Sequence, residues 1–332
     1  MTKEQKIYLL EQDREGYRLP KGMKNIWAAQ LVMYQELREV LERNNITYWA
    51  GFGTLLGAAR HHGYIPWDDD FDLYIERSSY DRLLKYGLDE LKDLGYKFKN
   101  IHIDHEYDSM MTRVFNSREP DFSPYFLDKW VDCPFVIGID LFPIDYLPDD
   151  EEEYQAMCRL LVMIEKAAKT WHDRDQKEEN KEIIKYIEAC MDCTVDLTGF
   201  VPYQLRMIAE DVGRRYNKNN SNTMGILALQ PNVNHKWQFN KEWMDGYTLL
   251  RFENTDIRVP IKYKEVLDKV YGDWHTIWKG HWHTYPYYTD QEPYIINKLK
   301  ERLFHLSEFI DENEKDEEIK DIKRISNYLT TI

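Results

Sequence analysis

The sequence lacks any apolar run that approaches the roughly 20 residues a membrane-spanning helix requires. Its first residues, MTKEQKIYLLEQDREGY, are too charged for a secretory signal. These two absences predict a cytoplasmic protein, with peripheral contact at the inner face of a membrane left open. Basic residues are also in the minority, since 44 Lys and Arg against 59 Asp and Glu give a net charge of −15. This balance argues against a nucleic-acid partner, because a phosphate backbone needs a basic surface.

Cysteine is scarce as well, with four residues in a chain of 332. Cys190 and Cys193 form a C-x-x-C pair inside a helical pattern, and no second Cys or His pair stands at zinc-ligand spacing. We interpret the pair as two reduced thiols on one helix face, so nothing requires an oxidising compartment. The length of 332 residues suits one large domain or two modest ones, and the hydrophobic fraction of 43% suffices for a substantial core.

Apolar periodicity predicts an alternation of helices and strands in the first half of the chain. The segments read as helix, strand, turn and helix, strand, helix, strand pair and apolar strand, at 24–44, 46–50, 54–61, 70–76, 79–94, 98–116 and 135–142. Thr54 is the predicted N-cap of the third segment, and Pro143 and Pro148 are expected to end the last strand.

This order predicts an α/β (α+β) fold in which a mixed sheet has a helical complement. Residues 1–150 are the predicted catalytic core. Residues 151–332 are mostly helical in pattern and are expected to complete the core and the substrate site.

Residues 51–77, GFGTLLGAARHHGYIPWDDDFDLYIER, combine a glycine-rich turn with a cluster of carboxylates. Glycine lets a backbone approach a phosphate closely, so Gly53 and Thr54 are candidate phosphate-binding residues. Arg60, one to two helical turns later, could reach the same phosphates, and Arg113 is a second, weaker candidate. The alternative for Arg60 is a surface salt bridge with a nearby aspartate.

The carboxylates predict a divalent-cation site. Asp70 and Asp72 lie two apart on a predicted strand and so share one face, where a cation would relieve their repulsion. Asp140 is the one charge in the apolar strand VIGIDLF and is the predicted third metal ligand and general base. Asp145 is the lesser candidate, with a structural role favoured. Asp68 shares the face of Asp70 only if the strand begins early enough.

A histidine- and tryptophan-rich segment follows residue 273. Its members are His275, His281, His283, Trp274, Trp278 and Trp282. The spacing is poor for zinc. An aromatic, polar wall beside a donor or acceptor head group would suit a quaternary ammonium through cation–π contact, and aromatic core packing explains the same residues equally well.

The stretch GTLLGAARHHGYIPWDDDFDLYIERSSYDRLL resembles the signature of the LicD family, which includes bacterial phosphocholine transferases and fukutin-related proteins. GIDLFPID and VPIKYKEVLDKVYGDW also resemble segments of that family. The resemblance runs from about Lys24 to Trp274 and is weakest over 151–215. After YGDW this chain departs from the family pattern, which leaves the head group and the acceptor open.

The resemblance implies a nucleotidyltransferase-like fold in which Gly53 and Thr54 hold donor phosphates. Asp70, Asp72 and Asp140 would bind Mg²⁺, with Mn²⁺ as a substitute. The implied reaction moves phosphocholine or a related phospho-alcohol from a CDP-activated donor, with CDP-choline the first choice. The acceptor would be a sugar hydroxyl of a cell-surface glycan, teichoic-acid precursor, lipopolysaccharide or lipid-linked oligosaccharide.

Two alternatives remain open from the residues. A metal-dependent glycosyltransferase could hold a nucleotide sugar through the D-x-D of Asp70 and Asp72, although the glycine turn upstream argues against it. A non-enzymatic acidic binding module is disfavoured by the lone charge of Asp140 in an apolar strand.

Overall fold

The computed structural model describes residues 12–216, 218–232, 235–278 and 291–308. Its helices are Lys21–Arg43 (α1), Phe52–His61 (α2), Arg77–Arg82 (α3), Leu88–Asp93 (α4), Pro124–Lys129 (α5), Glu151–Thr170 (α6), Lys177–Met191 (α7), Val201–Arg214 (α8), Tyr263–Tyr271 (α9) and Glu292–Glu308 (α10). A π-helical turn at Leu83–Gly87 joins α3 to α4. No helix within the described ranges is both long and apolar enough to cross a membrane.

The strands form one large mixed sheet and two hairpins. They are Gln12–Arg14 (β1), Tyr17–Leu19 (β2), Tyr48–Ala50 (β3), Asp72–Glu76 (β4), Lys97–Lys99 (β5), Thr112–Phe115 (β6), Gly138–Leu147 (β7), Thr223–Gly225 (β8), Gln238–Asn240 (β9), Tyr247–Phe252 (β10) and Thr255–Pro260 (β11). The large sheet has the order β3-β4-β7-β6-β5, with β8 added to β7 and β9 to β8. Its β4–β7 pair is parallel and its other pairs are antiparallel, which confirms the predicted mixed α/β architecture.

Strand β7 is longer than the sequence predicts and continues through Pro143. It pairs with β6 over Gly138–Leu141 and with β8 over Asp145–Leu147. Pro143 lies between these two ladders, on the side where its missing N–H would point, so no hydrogen bond of the sheet is lost. The expectation that Pro143 ends the strand was therefore wrong, and Asp140 lies near the start of β7 rather than near its end.

The buried apolar side chains form two main clusters. The larger one runs from Leu19 to Ile295 and includes the inner faces of α1 and the sheet. The smaller one is built by α6, α7 and α8. All four cysteines carry free thiols, but α7 ends at Met191, so Cys193 lies beyond the helix rather than on its face.

A buried ion pair joins the sheet to the helical cluster. Arg77 donates from Nε to Asp145 Oδ1 at 2.6 Å and from a second nitrogen to Oδ2 at 3.0 Å. Asp145 is fully buried, and Glu210 of α8 lies 3.8 Å from the same guanidinium. Asp145 is thus committed to a structural contact, which agrees with the interpretation of Asp145 as structural.

We expect Asp145→Asn to lower the free energy of unfolding by about 3–5 kcal/mol, because it removes the charged, two-point hydrogen-bond partner of a buried guanidinium and leaves only the more distant Glu210. Urea denaturation at neutral pH measures this. The matched control is Asp81→Asn, which removes a more exposed carboxylate from Arg214 and should cost less than about 1 kcal/mol. Equal losses in the two variants would contradict the assignment.

Candidate active site

Three charged side chains lie in a row across the sheet. Asp72 of β4 is the register partner of Asp140 of β7, and Asp140 is the register partner of Arg113 of β6. Residues opposite each other in a ladder point to the same face, so the three side chains leave the sheet together. Arg113 donates to both carboxylate oxygens of Asp140. The structure therefore brings Asp140 beside Asp72, as the sequence analysis expected.

The acidic turn before β4 adds further carboxylates. Strand β4 begins at Asp72, so Asp70 precedes the strand, and the expectation that Asp70 and Asp72 share a strand was wrong. Asp68 Oδ1 accepts a hydrogen bond from the Asp70 amide at 3.1 Å. Asp68, Asp69 and Asp70 each offer a carboxylate oxygen, and these oxygens lie within 4.8 Å of one another.

Helix α1 holds the backbone of this turn. Trp27 Nε1 donates to the carbonyl of Asp68, and Gln30 Nε2 donates to the carbonyl of Asp69, each at 2.8 Å. Both donors come from buried positions on α1. The sequence pattern predicts the helix but gives no signal for these two contacts, which fix where the carboxylates lie.

The crowding of negative charge shifts two pKa values upward. Burial and the charges of Asp70, Asp140 and Asp68 raise the pKa of Asp72 well above its usual range, against the opposing effect of Arg113. Burial and the charges of Asp70 and Asp69 raise the pKa of Asp68 to about 8. The negative charges of these carboxylates thus exceed the positive charge that Arg113 supplies, and a bound cation would relieve their repulsion.

The first turn of α2 lies against these carboxylates. Gly51 is the N-cap and Phe52 the first helical residue, so the prediction of Thr54 as N-cap was wrong. The buried Thr54 hydroxyl instead accepts a hydrogen bond from the Asp72 amide at 2.9 Å. A Cβ at Gly53 would lie 2.6 Å from Asp68 Oδ2, so glycine is required there for the close approach. First-turn N–H groups lack intrahelical acceptors and favour anions.

Both candidate phosphate-binding arginines have protein partners. Arg60 donates to the carbonyls of Trp274 and Thr276 at 3.1 and 3.2 Å, and from Nε to His61. Its hydrogen bonds therefore tie α2 to the chain after α9, rather than forming the salt bridge considered for it. Arg113 is engaged by Asp140. A phosphate-binding role for either stays a prediction.

The aromatic residues beside the site differ from those that the sequence suggested. Phe52 packs against Tyr74, Phe142 and Trp237, with ring centroids 5.1, 4.8 and 4.8 Å away. Trp237 in turn lies 6.3 Å from Tyr271. Burial and the charges of Asp72 and Asp68 raise the pKa of Tyr271, so its phenol lies within electrostatic range of these carboxylates, and the residue is 38% exposed.

Trp274, by contrast, is 6% exposed and donates from Nε1 to Asp268, so it belongs to the core rather than to an open wall. Trp278 is 77% exposed. His281, Trp282 and His283 lie outside the described residues. Tyr271 could have been found from its place in the YGDW motif, whereas nothing in the sequence marks Trp237.

Comparison with known proteins finds relatives of this part of the chain. Residues 45–134 match the family model described as LicD/FKTN/FKRP, nucleotidyltransferase domain. This part of the chain belongs to the LicD family. The matched range contains the first turn of α2 and the acidic turn, while Asp140 lies beyond it.

Among the relatives of the chain is the lipopolysaccharide cholinephosphotransferase LicD of Haemophilus influenzae. It is 24% identical over 268 residues, which cover 77% of this chain and 89% of the relative. The ribitol 5-phosphate transferase FKRP of Mus musculus is 58% identical over 36 residues, 11% of this chain and 7% of the relative. An uncharacterized Rickettsia prowazekii protein, RP689, is 39% identical over 92 residues, 28% of this chain and 33% of the relative.

The raised pKa of Asp68 predicts a pH-dependent stability. Between an unfolded pKa of roughly 4 and the folded value of about 8, the folded state holds a proton that the unfolded state has released. Stability from this group therefore falls as pH rises through that window. In chelator-treated protein, Asp68→Asn should gain stability relative to the unmutated chain between pH 5 and pH 8, by about 1 kcal/mol or more.

Denaturant melts at the two pH values measure this gain. Asp89→Asn, at an exposed position of α4, is the control and should shift stability equally at both. A pH-independent effect of Asp68→Asn would show that its carboxylate is not destabilised by its neighbours.

Proposed function

We propose that this protein is a metal-dependent transferase. It moves phosphocholine, or a related phospho-alcohol, from a CDP-activated donor to a sugar hydroxyl of a cell-surface glycan or its precursor. The observation that carries the proposal is the grouping of Asp68, Asp70, Asp72 and Asp140 beside the first turn of α2. Two relatives, the Haemophilus cholinephosphotransferase and the mouse ribitol 5-phosphate transferase, support the same class of reaction.

The carboxylates fit a hard divalent cation. The raised pKa values of Asp68 and Asp72 indicate negative charge that the protein does not balance. Asp68, Asp69 and Asp70 also offer carboxylate oxygens close to one another, and hard divalent cations prefer oxygen ligands. We assign Asp70, Asp72 and Asp140 as ligands of Mg²⁺ or Mn²⁺, with Asp68 beside them. When bound, the ion neutralises the diphosphate and stabilises the departing CMP.

The proposed reaction exchanges one P–O bond for another. The acceptor hydroxyl oxygen bonds to the phosphorus that carries the head group, and the bond from that phosphorus to the oxygen bridging to CMP breaks. CMP leaves with the electron pair, and the hydroxyl proton passes to Asp140. The Gly53 and Thr54 amides of the first helical turn hold a donor phosphate, while Arg113 orients the Asp140 carboxylate through its two hydrogen bonds.

The donor class can be tested by thermal shift. CDP-choline should raise the melting temperature only when Mg²⁺ or Mn²⁺ is present, because phosphate and carboxylates repel one another without the ion. At a hundredfold excess over its Kd, the ligand should add about 2.7 kcal/mol of stability. The panel includes CDP-glycerol, CDP-ribitol and UDP-sugars. A response to UDP-sugars alone would replace the proposal by the glycosyltransferase alternative.

The roles of Asp140 and Asp72 can be separated by kinetics. Asp140→Asn should lower kcat about a hundredfold, an ordinary loss for a general base, because an amide cannot accept the proton. Its Kd for CDP-choline should change less than that of Asp72→Asn, which should abolish turnover and raise the metal requirement. Stopped assays for CMP release and calorimetric donor titrations measure both. Near-normal activity of either variant would refute its assignment.

A further inference from the structure

An aromatic wall borders the carboxylates on the side of α9 and the segment before β9. Its members are Phe52, Trp237 and Tyr271. Trp237 is inclined by 61° to Phe52 and by 89° to Tyr271, so neither ring stacks face to face on the indole. Phe52 directly precedes Gly53 in the first turn of α2. The Tyr271 phenol interacts electrostatically with Asp72 and Asp68. The wall thus lies beside the first turn of α2 and within electrostatic range of the carboxylates.

One lysine stands over this wall. The Lys236 ammonium lies 5.7 Å from the ring centroid of Trp237 and 6.0 Å from that of Tyr271. Lys236 is exposed, and it forms no ion pair with a residue in the described part of the chain. Arg60 donates to backbone carbonyls, and Arg113 donates to Asp140. Lys236 is therefore a cation beside the aromatic wall that can bind an anionic ligand.

The presence of this ammonium decides which end of a donor fits the wall. A quaternary ammonium would have to share the aromatic faces with a positive charge that already lies over them, and like charges repel. An anionic, planar ligand meets the opposite situation. Its phosphate oxygens gain a cation, and its base gains an indole on which no aromatic neighbour stacks.

We propose that Lys236 and Trp237, with Tyr271 beside them, bind the nucleotide end of the donor, Lys236 at its phosphate and Trp237 at its base. This inference rests on the proposed function and deepens it, since it assigns the wall to a cytidine nucleotide and not to the head group. Lys236 is a binding residue of the donor and takes no part in proton transfer.

Calorimetric titrations of the full chain with CMP, CDP and phosphocholine in Mg²⁺ test the assignment. Lys236→Met should weaken CMP and CDP about tenfold, and Lys236→Arg should restore most of that loss because it keeps the charge. Phosphocholine should bind all three proteins alike. In the kinetic assay, Lys236→Met should raise KM for the donor with kcat nearly unchanged.

Lys85→Met is the matched control, since Lys85 is an exposed lysine whose ammonium lies 4.9 Å from the ring of Tyr86, in the π-helical turn beyond the C-terminal end of β4. It should leave all Kd values unchanged. Trp237→Leu should weaken CMP but not inorganic pyrophosphate, which has no base. Undiminished CMP binding by Lys236→Met, or a loss confined to phosphocholine, would overturn this inference while leaving the proposed function intact. Failure of the unmutated chain to bind either nucleotide would overturn both.

Discussion

Repulsion between carboxylates is the constraint on which the rest of this site depends. Burial and the negative charge of Asp70 raise the pKa values of both Asp68 and Asp72, so these carboxylates are held close together against their mutual repulsion. The fold opposes this by holding the backbone rather than the side chains. Trp27 and Gln30 fix two carbonyls of the turn, and Thr54 fixes the amide of Asp72. The fold thus tolerates these repelling charges because the residues that hydrogen-bond the backbone of the turn lie on well-packed helices.

The large apolar core offsets the destabilising effect of this repulsion. Helix α1 buries most of its length, and the donors Trp27 and Gln30 come from its buried face, so moving the acidic turn would disturb the main core. Gly53 contributes in another way, because the space that a side chain would need is taken by the Asp68 carboxylate. The sheet then adds Asp140 through the parallel register of β4 and β7.

Local patterns predicted much of this arrangement, and long-range contacts account for what they missed. Period-two alternation and helical spacing predicted the individual strands and α1, because such elements depend on neighbours in sequence, and the order of these elements predicted a mixed sheet. The acidic turn and Gly53 were marked by residue type. Nothing local could show that β7 continues through Pro143, since this depends on where β6 gives way to β8. Trp237 and the partners of Arg60 likewise come from distant parts of the chain, as does the burial of Trp274.

Two aspartates of β7 differ in burial and in role. Asp140 and Asp145 are five residues apart and so leave opposite faces, and each is paired with an arginine. The Arg77–Asp145 pair is almost fully enclosed, and opening it would expose a buried charge to an apolar surrounding. Arg113, with 44% of its side chain exposed, donates to both oxygens of Asp140 while it remains in contact with water. The Arg113–Asp140 pair therefore stays accessible to solvent beside the proposed active site, whereas the Arg77–Asp145 pair lies in the interior, where it joins β7 to the helical cluster.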